Sequence, residues 1–298
     1  MIKYDKRALI TGINGFTGHY MAAELSAAGY QIFGMGSFPN PDENYYQADL
    51  TDFDSVVNAI EQIKPDVVIH LAAIAFVGHG DPNAFYQVNL TGTRNLLQAL
   101  AQSTHLPEVV LLASSANVYG NTIAGQLDEQ IRPNPANDYA VSKLAMEYMA
   151  NLWHEKLPII IARPFNYTGV GQAENFLLPK IVKHFKEKAA SIELGNLEVW
   201  RDFTDVRSLV NAYSRLVQSP KAIGKTINVC SEVTYSLQQI VDICQELSSH
   251  SLEIKVNPAF VRANDVKTLS GDATLLKGII GPWEPILMKD TLRWMLQN

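Results

Sequence analysis

Three glycines at intervals of three, Gly12, Gly15 and Gly18, stand between a short apolar run, Ala8-Leu9-Ile10, and an amphipathic segment over residues 15–28. The pattern reads as strand, tight turn and helix in immediate succession. In such a unit the glycines permit the turn, a close backbone approach and the packing of helix against strand. The helix start then offers unpaired N–H groups at the positive end of its dipole, which suits the pyrophosphate of a dinucleotide. Glycine spacing alone is weak, but placed after a strand and before a helix it commits the chain to a βαβ beginning.

The same alternation continues. Residues 31–34 read as a strand, 52–63 as a helix, 66–71 as a buried strand and 82–101 as a helix, followed by strands at 108–113 and 158–162 around a helix near Tyr139. Apolar runs alternating with helical patterns predict an α/β fold, a doubly wound parallel sheet (Rossmann) with right-handed crossovers. Beyond Arg163-Pro164 the pattern loosens, and residues 166–175 are rich in Gly, Asn and Gln. A helix at 206–216 and a strand at 226–229 are expected to rejoin the sheet. The expected division is therefore a dinucleotide-binding domain of residues 1–165 with 201–229, and a smaller α/β substrate lobe of residues 166–200 with 230–298.

The chain has 298 residues, 47% of them hydrophobic and 18% charged, as expected of a soluble globule with a sizeable core. A net charge of −6 without a cluster of Lys and Arg disfavours a nucleic-acid partner. Cys230 and Cys244 are too few for a disulfide framework and match no metal spacing, so free thiols are expected. The seven histidines are scattered singly, and His79, His154 and His184 read as structural or exposed; no metal is expected. The first seven residues carry no signal-peptide apolar region, and the apolar stretch at 67–77 is too short to span a bilayer. A cytoplasmic protein without a membrane partner is expected.

Tyr139 and Lys143, four residues apart, place a phenol and an ammonium on one helix face. A phenol titrates near pH ~10, and a neighbouring cation favours its anion. Ser115, just past the apolar run at 109–113, adds a hydroxyl, and the trio suits proton transfer at a carbinol or carbonyl. Asn117 can hydrogen-bond but cannot act as acid or base at neutral pH. Asp49-Leu50 offers an acceptor for an adenine amino group, or else caps the helix before Asp52. A ribose 2′-OH is usually held by an acid about twenty residues past the glycines, yet the second strand ends Gly34-Met35-Gly36-Ser37. With no carboxylate there to repel a 2′-phosphate, and Ser37 able to donate to one, NADP is favoured and NAD stays open. No arginine stands there to clamp that phosphate.

Together these pieces resemble an extended short-chain dehydrogenase/reductase of the nucleotide-sugar branch. The matching residues are Thr11-Gly12 with Gly15 and Gly18, Asp49-Leu50, His70-Leu71-Ala72-Ala73, and Asn89 within Val88-Asn89-Leu90-Thr91-Gly92-Thr93. Ser114-Ser115-Ala116-Asn117-Val118-Tyr119-Gly120, Tyr139 to Lys143, and Arg163-Pro164-Phe165-Asn166 complete the set. The resemblance implies that Ser115, Tyr139 and Lys143 are catalytic, with Lys143 also holding the nicotinamide ribose. It implies cofactor contacts from Asn14, Phe16 and Thr17 in the glycine turn and from Leu71, Ala72, Ala73 and Asn89. Asn89 would steady the active-site helix or a water near Lys143, or merely cap a helix.

In this branch the second residue after the catalytic Ser or Thr separates chemistries: sugar 4,6-dehydratases carry an acid there and GDP-fucose synthases a cysteine. Asn117 fits neither, whereas simple hydride transfer needs only the trio and the cofactor. Within the branch the chain is most similar to reductases of GDP-4-dehydro-6-deoxy-D-mannose, through Asn137-Asp138-Tyr139, Ala162-Arg163-Pro164-Phe165-Asn166, residues 201–206 and Asn228-Val229-Cys230-Ser231. That implies a GDP-sugar substrate, a product that is GDP-D-rhamnose or its C4 epimer, and a place in lipopolysaccharide biosynthesis. Implied substrate contacts are Ser115, Asn117, Asn166, Asn175 and Lys180, with Arg201 forked on phosphate or else paired with Asp202 or Asp205. Arg262 and Asp265 would meet phosphate and ribose, or be solvated loop charge; their stretch departs from an Arg-rich segment in some of these reductases. Relatives pair through two helices, here 83–101 and 138–154, which implies a homodimer. A nucleotide-sugar 4-epimerase with tightly held NAD and a non-catalytic nucleotide sensor are the competing readings.

Overall fold

The computed structural model describes residues 6–120, 122, 125–260 and 267–298, so Arg262 and Asp265 lie outside the described residues. β1 (Lys6–Thr11) turns into α1 (Phe16–Ala27), followed by β2 (Tyr30–Gly36), a short β3 (Tyr45–Gln47), α2 (Phe53–Ile63) and β4 (Val67–His70). A rod made of α3 (Pro82–Phe85), a π-helical segment (Tyr86–Gly92) and α4 (Thr93–Gln102) leads to β5 (Val109–Ala113). After a two-residue β6 (Gln126–Leu127) come α5 (Asp138–Asn151) and β7 (Ile159–Pro164). The chain then runs through β8 (Asn166–Thr168), α6 (Leu177–Lys186), β9 (Ser191–Leu194), β10 (Trp200–Asp205), α7 (Val206–Val217) and β11 (Thr226–Val229). It finishes with β12 (Thr234–Ser236), α8 (Leu237–Ser248), β13 (Glu253–Val256), β14 (Thr268–Gly271), α9 (Thr274–Ile280) and α10 (Met288–Gln297).

Seven strands form one parallel sheet in the order β11-β7-β5-β4-β1-β2-β3. This is the doubly wound, Rossmann-like arrangement, and its order reverses between β1 and β4, where open sheets of this kind bind ligands. Period-two alternation sends Ala8, Ile10, Ile69 and Leu111 to one face and Leu9, Val68, Val110 and Leu112 to the other, each within an apolar core. Strands buried on both faces need unbroken apolar runs, and that is how these segments read. On the first face the core includes Met21 and Leu25 of α1 and Leu209 and Tyr213 of α7; on the second, Ile60 of α2, Leu96 of α4 and Met146 of α5. The amphipathic α2 shows why such helices form: Asp52 caps it by accepting from the Ser55 N–H at 3.4 Å, and Val56, Ala59, Ile60 and Ile63 bury one face.

Two features depart from the sequence expectation. The helix expected over 82–101 is interrupted by the π-helical segment, which leaves Asn89 buried at 1% exposure. Such an insertion re-aims side chains and is frequent at functional sites. β10, expected with the nucleotide half, pairs instead with β8, β12 and β14 in a second sheet that also takes in β6. Trp200-Arg201-Asp202-Phe203-Thr204-Asp205 carries only two apolar residues, so local pattern does not tie it to either sheet and tertiary packing makes the choice. The expected return of 206–216 and 226–229 does occur, with β11 bonded to β7. A third core, built by Ile181 and Phe185 of α6, Ile240 of α8 and Leu292 of α10, underlies Phe203 of β10.

Candidate active site

The carboxyl ends of β1, β4, β5 and β7 deliver the chain to one edge of the sheet. Gly12 leaves β1 with φ +70°, and a Cβ there would stand 2.9 Å from the Cα and N of Ala72 at the end of β4. Only glycine fits that crossing. Gly15 starts α1 with no side-chain cap, and no acidic residue occupies the first turn, so the helix end keeps its N–H groups and positive dipole for an anion. A Cβ on Gly18 would collide with the Gly12 and Ile13 backbone. This uncapped, side-chain-free cradle fits the pyrophosphate of a dinucleotide.

Around the cradle, Asn14 accepts from Asn40 Nδ2 at 2.7 Å, Thr17 Oγ1 meets the Tyr167 hydroxyl at 3.0 Å, and Phe16 stacks on Tyr167. Ser37 is exposed past β2, its carbonyl held by Gln47 Nε2 at 3.0 Å. Asp49 accepts from the Thr51 N–H and hydroxyl, both at 2.8 Å, and thereby shapes the turn ahead of α2, while Leu50 is buried. Past β4, the Ala72 N–H donates to Thr11 Oγ1 at 3.1 Å, and Leu71 and Ala73 are half-buried beside it.

Asn137 caps α5 through the Ala140 N–H at 2.9 Å, which starts the helix one residue before the Asp138-Tyr139 turn. Tyr139, Lys143 and Ser115 are 7%, 4% and 6% exposed. Ser115 Oγ accepts from both the backbone N–H and the side-chain Nδ2 of Asn117, each at 3.1 Å. With two bonds accepted, the hydroxyl has its proton left to give. Burial pushes the Tyr139 phenol up to about 12, with a hydrogen bond to Ser115 pulling the other way. Burial likewise lowers Lys143 to about 8 against the opposing field of Glu147, and its Nζ donates to the Ala113 carbonyl at 2.8 Å. The sequence argument expected the ammonium to favour the phenolate; here desolvation dominates both groups and keeps the phenol protonated.

Asn89 accepts from the Ile74 N–H at 2.9 Å and donates to the Ile74 carbonyl at 3.1 Å and to Ser142 Oγ at 3.0 Å, so it braces α5 from the π-helical segment. Sequence reasoning missed His70 as a structural hub. Thr93 Oγ1 donates to the Asn89 carbonyl at 2.7 Å, so His70 Nε2 donates to Thr93 at 2.8 Å and His70 Nδ1 accepts from Thr11 at 2.7 Å. Burial, then the charge of Lys143, lowers its pKa to about 3, which keeps this ring neutral.

The residues expected at the sugar nucleotide are spread over the lobe. Asn166 Nδ2 donates to the Asp202 carbonyl at 3.1 Å, and Asn175 is exposed. Lys180 Nζ donates to the Glu193 carbonyl at 2.8 Å and lies 4.7 Å from the Phe260 ring centre. Half-buried Arg201 donates to the Trp200 carbonyl at 2.9 Å. Asp202 is taken up by the Ser231 N–H and hydroxyl and the Glu232 N–H, and Asp205 by Arg207 and Thr291. Among the described residues no group of His, Cys, Asp or Glu is arranged to hold a metal, and no helix is long and apolar enough to cross a membrane. Cys230 and Cys244 are buried free thiols.

The GDP-mannose 4,6 dehydratase family matches residues 9–293. A GDP-6-deoxy-D-talose 4-dehydrogenase of Aggregatibacter actinomycetemcomitans is 38% identical over 278 residues, covering 92% of this chain and 91% of the relative. A GDP-6-deoxy-D-mannose reductase of Pseudomonas aeruginosa is 33% identical over 305 residues, covering 98% and 97%. Among solved structures, RMD from Pseudomonas aeruginosa complexed with NADPH superposes with a TM-score of 0.85 at 33% identity, over 98% of each chain. A Burkholderia cenocepacia J2315 protein described as a candidate epimerase superposes with a TM-score of 0.93 at 48% identity, over 98% of this chain and 97% of the other.

Proposed function

Because the chain belongs to the GDP-mannose 4,6 dehydratase family of extended short-chain dehydrogenases/reductases, we propose that it reduces the 4-keto group of a GDP-4-dehydro-6-deoxyhexose with NADPH, NADH being the alternative donor. The carrying observation is Asn117, whose carboxamide is bonded to Ser115 where a dehydratase needs an acid. A carboxamide moves no proton at neutral pH, so a step that abstracts protons from the sugar carbons has no agent there. The named relatives, a reductase and a dehydrogenase of GDP-6-deoxyhexoses, support the same chemistry.

When bound, the cofactor supplies a hydride to C4. Residues 12–18 would hold its pyrophosphate and Lys143 its ribose. Ser115 gives a hydrogen bond to the ketone oxygen, and Tyr139 transfers its phenolic proton there as negative charge develops. A phenol held near 12 stays loaded through neutral pH, and the strongly basic alkoxide takes its proton readily. Burial of all three residues excludes water from the transfer. The sugar nucleotide lies against the lobe, with Asn166, Asn175, Lys180 and Arg201 as contacts, joined by Arg262 and Asp265. The product is GDP-D-rhamnose or its C4 epimer, the talose form, a donor for lipopolysaccharide assembly in the cytoplasm.

The protein acts as a homodimer, paired through the rod and α5. Support comes from Val141 and Tyr148 of α5 and Leu152 at its C-cap, which lie along one stripe at 38%, 64% and 80% exposure. The test of the activity generates GDP-4-dehydro-6-deoxymannose in place with a dehydratase, adds NADPH or NADH in parallel, and follows cofactor oxidation and product stereochemistry. Absence of oxidation with either cofactor removes the reductase reading. The Burkholderia neighbour favours a second reading, a 4-epimerase; its mark would be NAD that survives purification and interconversion of an intact nucleotide sugar.

A further inference from the structure

One turn past Lys143, α5 carries a second buried charged residue, Glu147, only 5% exposed. Arg163, at the end of β7, forks onto its carboxylate with Nε to Oε1 at 2.9 Å and Nη2 to Oε2 at 2.6 Å. The Ser114 hydroxyl donates to the same Oε1 at 2.5 Å. Arg163 is itself held from behind: Nη1 donates to the Tyr119 hydroxyl at 3.0 Å, and that hydroxyl donates to Asn228 Oδ1 at 2.8 Å. One carboxylate thus ties the helix bearing Tyr139 and Lys143 to the strand end bearing Ser115 and to β7.

A buried, fully bonded ion pair contributes little net stability over apolar packing, so its place beside the trio is the informative point. The groups facing Lys143 leave few sources of negative charge. On α5 these are Tyr139, a neutral phenol, and Glu147; from β4 comes His70, a ring kept neutral by burial and by the Lys143 charge; from β5 comes the Ala113 carbonyl. Glu147 is the anion whose field favours the cation.

We propose that Glu147, clamped by Arg163, is a positioning residue that sets α5 in register with Ser114-Ser115 and supplies the negative charge an ammonium at Lys143 requires. The part concerning turnover rests on the reductase reading; the part concerning cofactor binding does not. The test compares wild type with Glu147→Gln, Glu147→Asp and Ser114→Ala, measuring NADPH affinity and kcat against pH, with thermal melting alongside. In Glu147→Gln the alkaline limbs of both profiles move to lower pH by about one unit or more, because burial of Lys143 is no longer opposed. Glu147→Asp restores the position of the limbs. Ser114→Ala lowers kcat about tenfold through lost register, the equivalent of one hydrogen bond, and leaves the limbs in place.

If Glu147→Gln is too unstable to purify, the neutral pair Glu147→Gln with Arg163→Met leaves no uncompensated charge and is expected to move the limbs in the same direction by a smaller amount, because the guanidinium that repels the ammonium is removed as well. Profiles that keep the wild-type limbs in either variant, with only a uniform loss of affinity or a lowered melting temperature, overturn the proposal. Wild type that binds NADPH but turns over no 4-keto sugar refutes the reductase reading instead, and the binding profile still decides the role of Glu147.

Discussion

Replacing Tyr139 with phenylalanine removes one oxygen and leaves the ring where it packs against Phe85, 6.0 Å between ring centres. The fold is expected to survive, since loss of the bond to Ser115 costs roughly 1 kcal/mol and Ser115 keeps both bonds from Asn117. Turnover responds on another scale. A positioned proton donor contributes about 10²–10⁴ in rate, equivalent to about 3–5 kcal/mol of barrier. Ser115 can still donate to the ketone oxygen, so the expected outcome is a fall in kcat of that size with residual activity. KM for sugar and cofactor should change by no more than roughly threefold, because the lost bond forms mainly in the transition state. Single-turnover and steady-state oxidation of NADPH, with melting temperature as control, measure this directly. The pH profile adds a second criterion: Lys143, lowered to about 8, sets the alkaline limb, whereas the phenol near 12 stays protonated across it. The variant should therefore keep the wild-type limb at its reduced rate. A well-folded Tyr139→Phe protein that retains turnover within roughly threefold of wild type would refute the proton-donor argument.

Gly12→Ala forces an L side chain to φ +70° with its Cβ 2.9 Å from the Ala72 backbone; left-handed strain alone costs about 1–2 kcal/mol, and NADPH affinity by fluorescence titration should fall at least about tenfold. Unchanged affinity would show that this turn is not the cradle. Asn117→Asp leaves a carboxylate that cannot donate to Ser115 Oγ and instead draws the Ser115 proton away from the ketone, so kcat should drop about 10²-fold with no dehydration product by NMR; undiminished turnover contradicts it. His70 has a folded-state pKa of about 3, below the usual 6.5, so the unfolded chain takes up the proton first and stability is lost as pH falls from 6.5 toward 3. Urea titrations across that window should show a loss on the order of a few kcal/mol, flattened in His70→Asn; equal slopes for the two proteins would remove His70 as the cause.

The order of strands and helices, the glycine turn and the pairing of Tyr139 with Lys143 were legible in the sequence because each depends on spacing within one or two turns of chain. Strand alternation and helix periodicity are local, so the runs at 66–71 and 108–113 announced a sheet covered on both faces. The π-helical segment was not legible: Tyr86–Gly92 has no composition that separates it from an ordinary helix, and only packing against Ile74 and Ser142 shows where Asn89 is directed. β10 was likewise not legible, since Trp200–Asp205 has only two apolar residues and no local pattern that marks the sheet it joins. Glu147 had a faint signal, lying one turn beyond Lys143, but its partner Arg163 comes from β7, a different element.

What the sequence by itself determined is the doubly wound sheet and which residue types meet at its carboxyl edge, since these follow from the fixed repeat of helix and strand. The charge state of those residues was decided by tertiary structure alone. Ser114 meets Glu147 across 33 positions and Tyr119 meets Asn228 across 109, and the water excluded by such distant contacts sets the energy of a charge. That is why a phenol expected to be acidified by its neighbouring lysine is instead held protonated by burial.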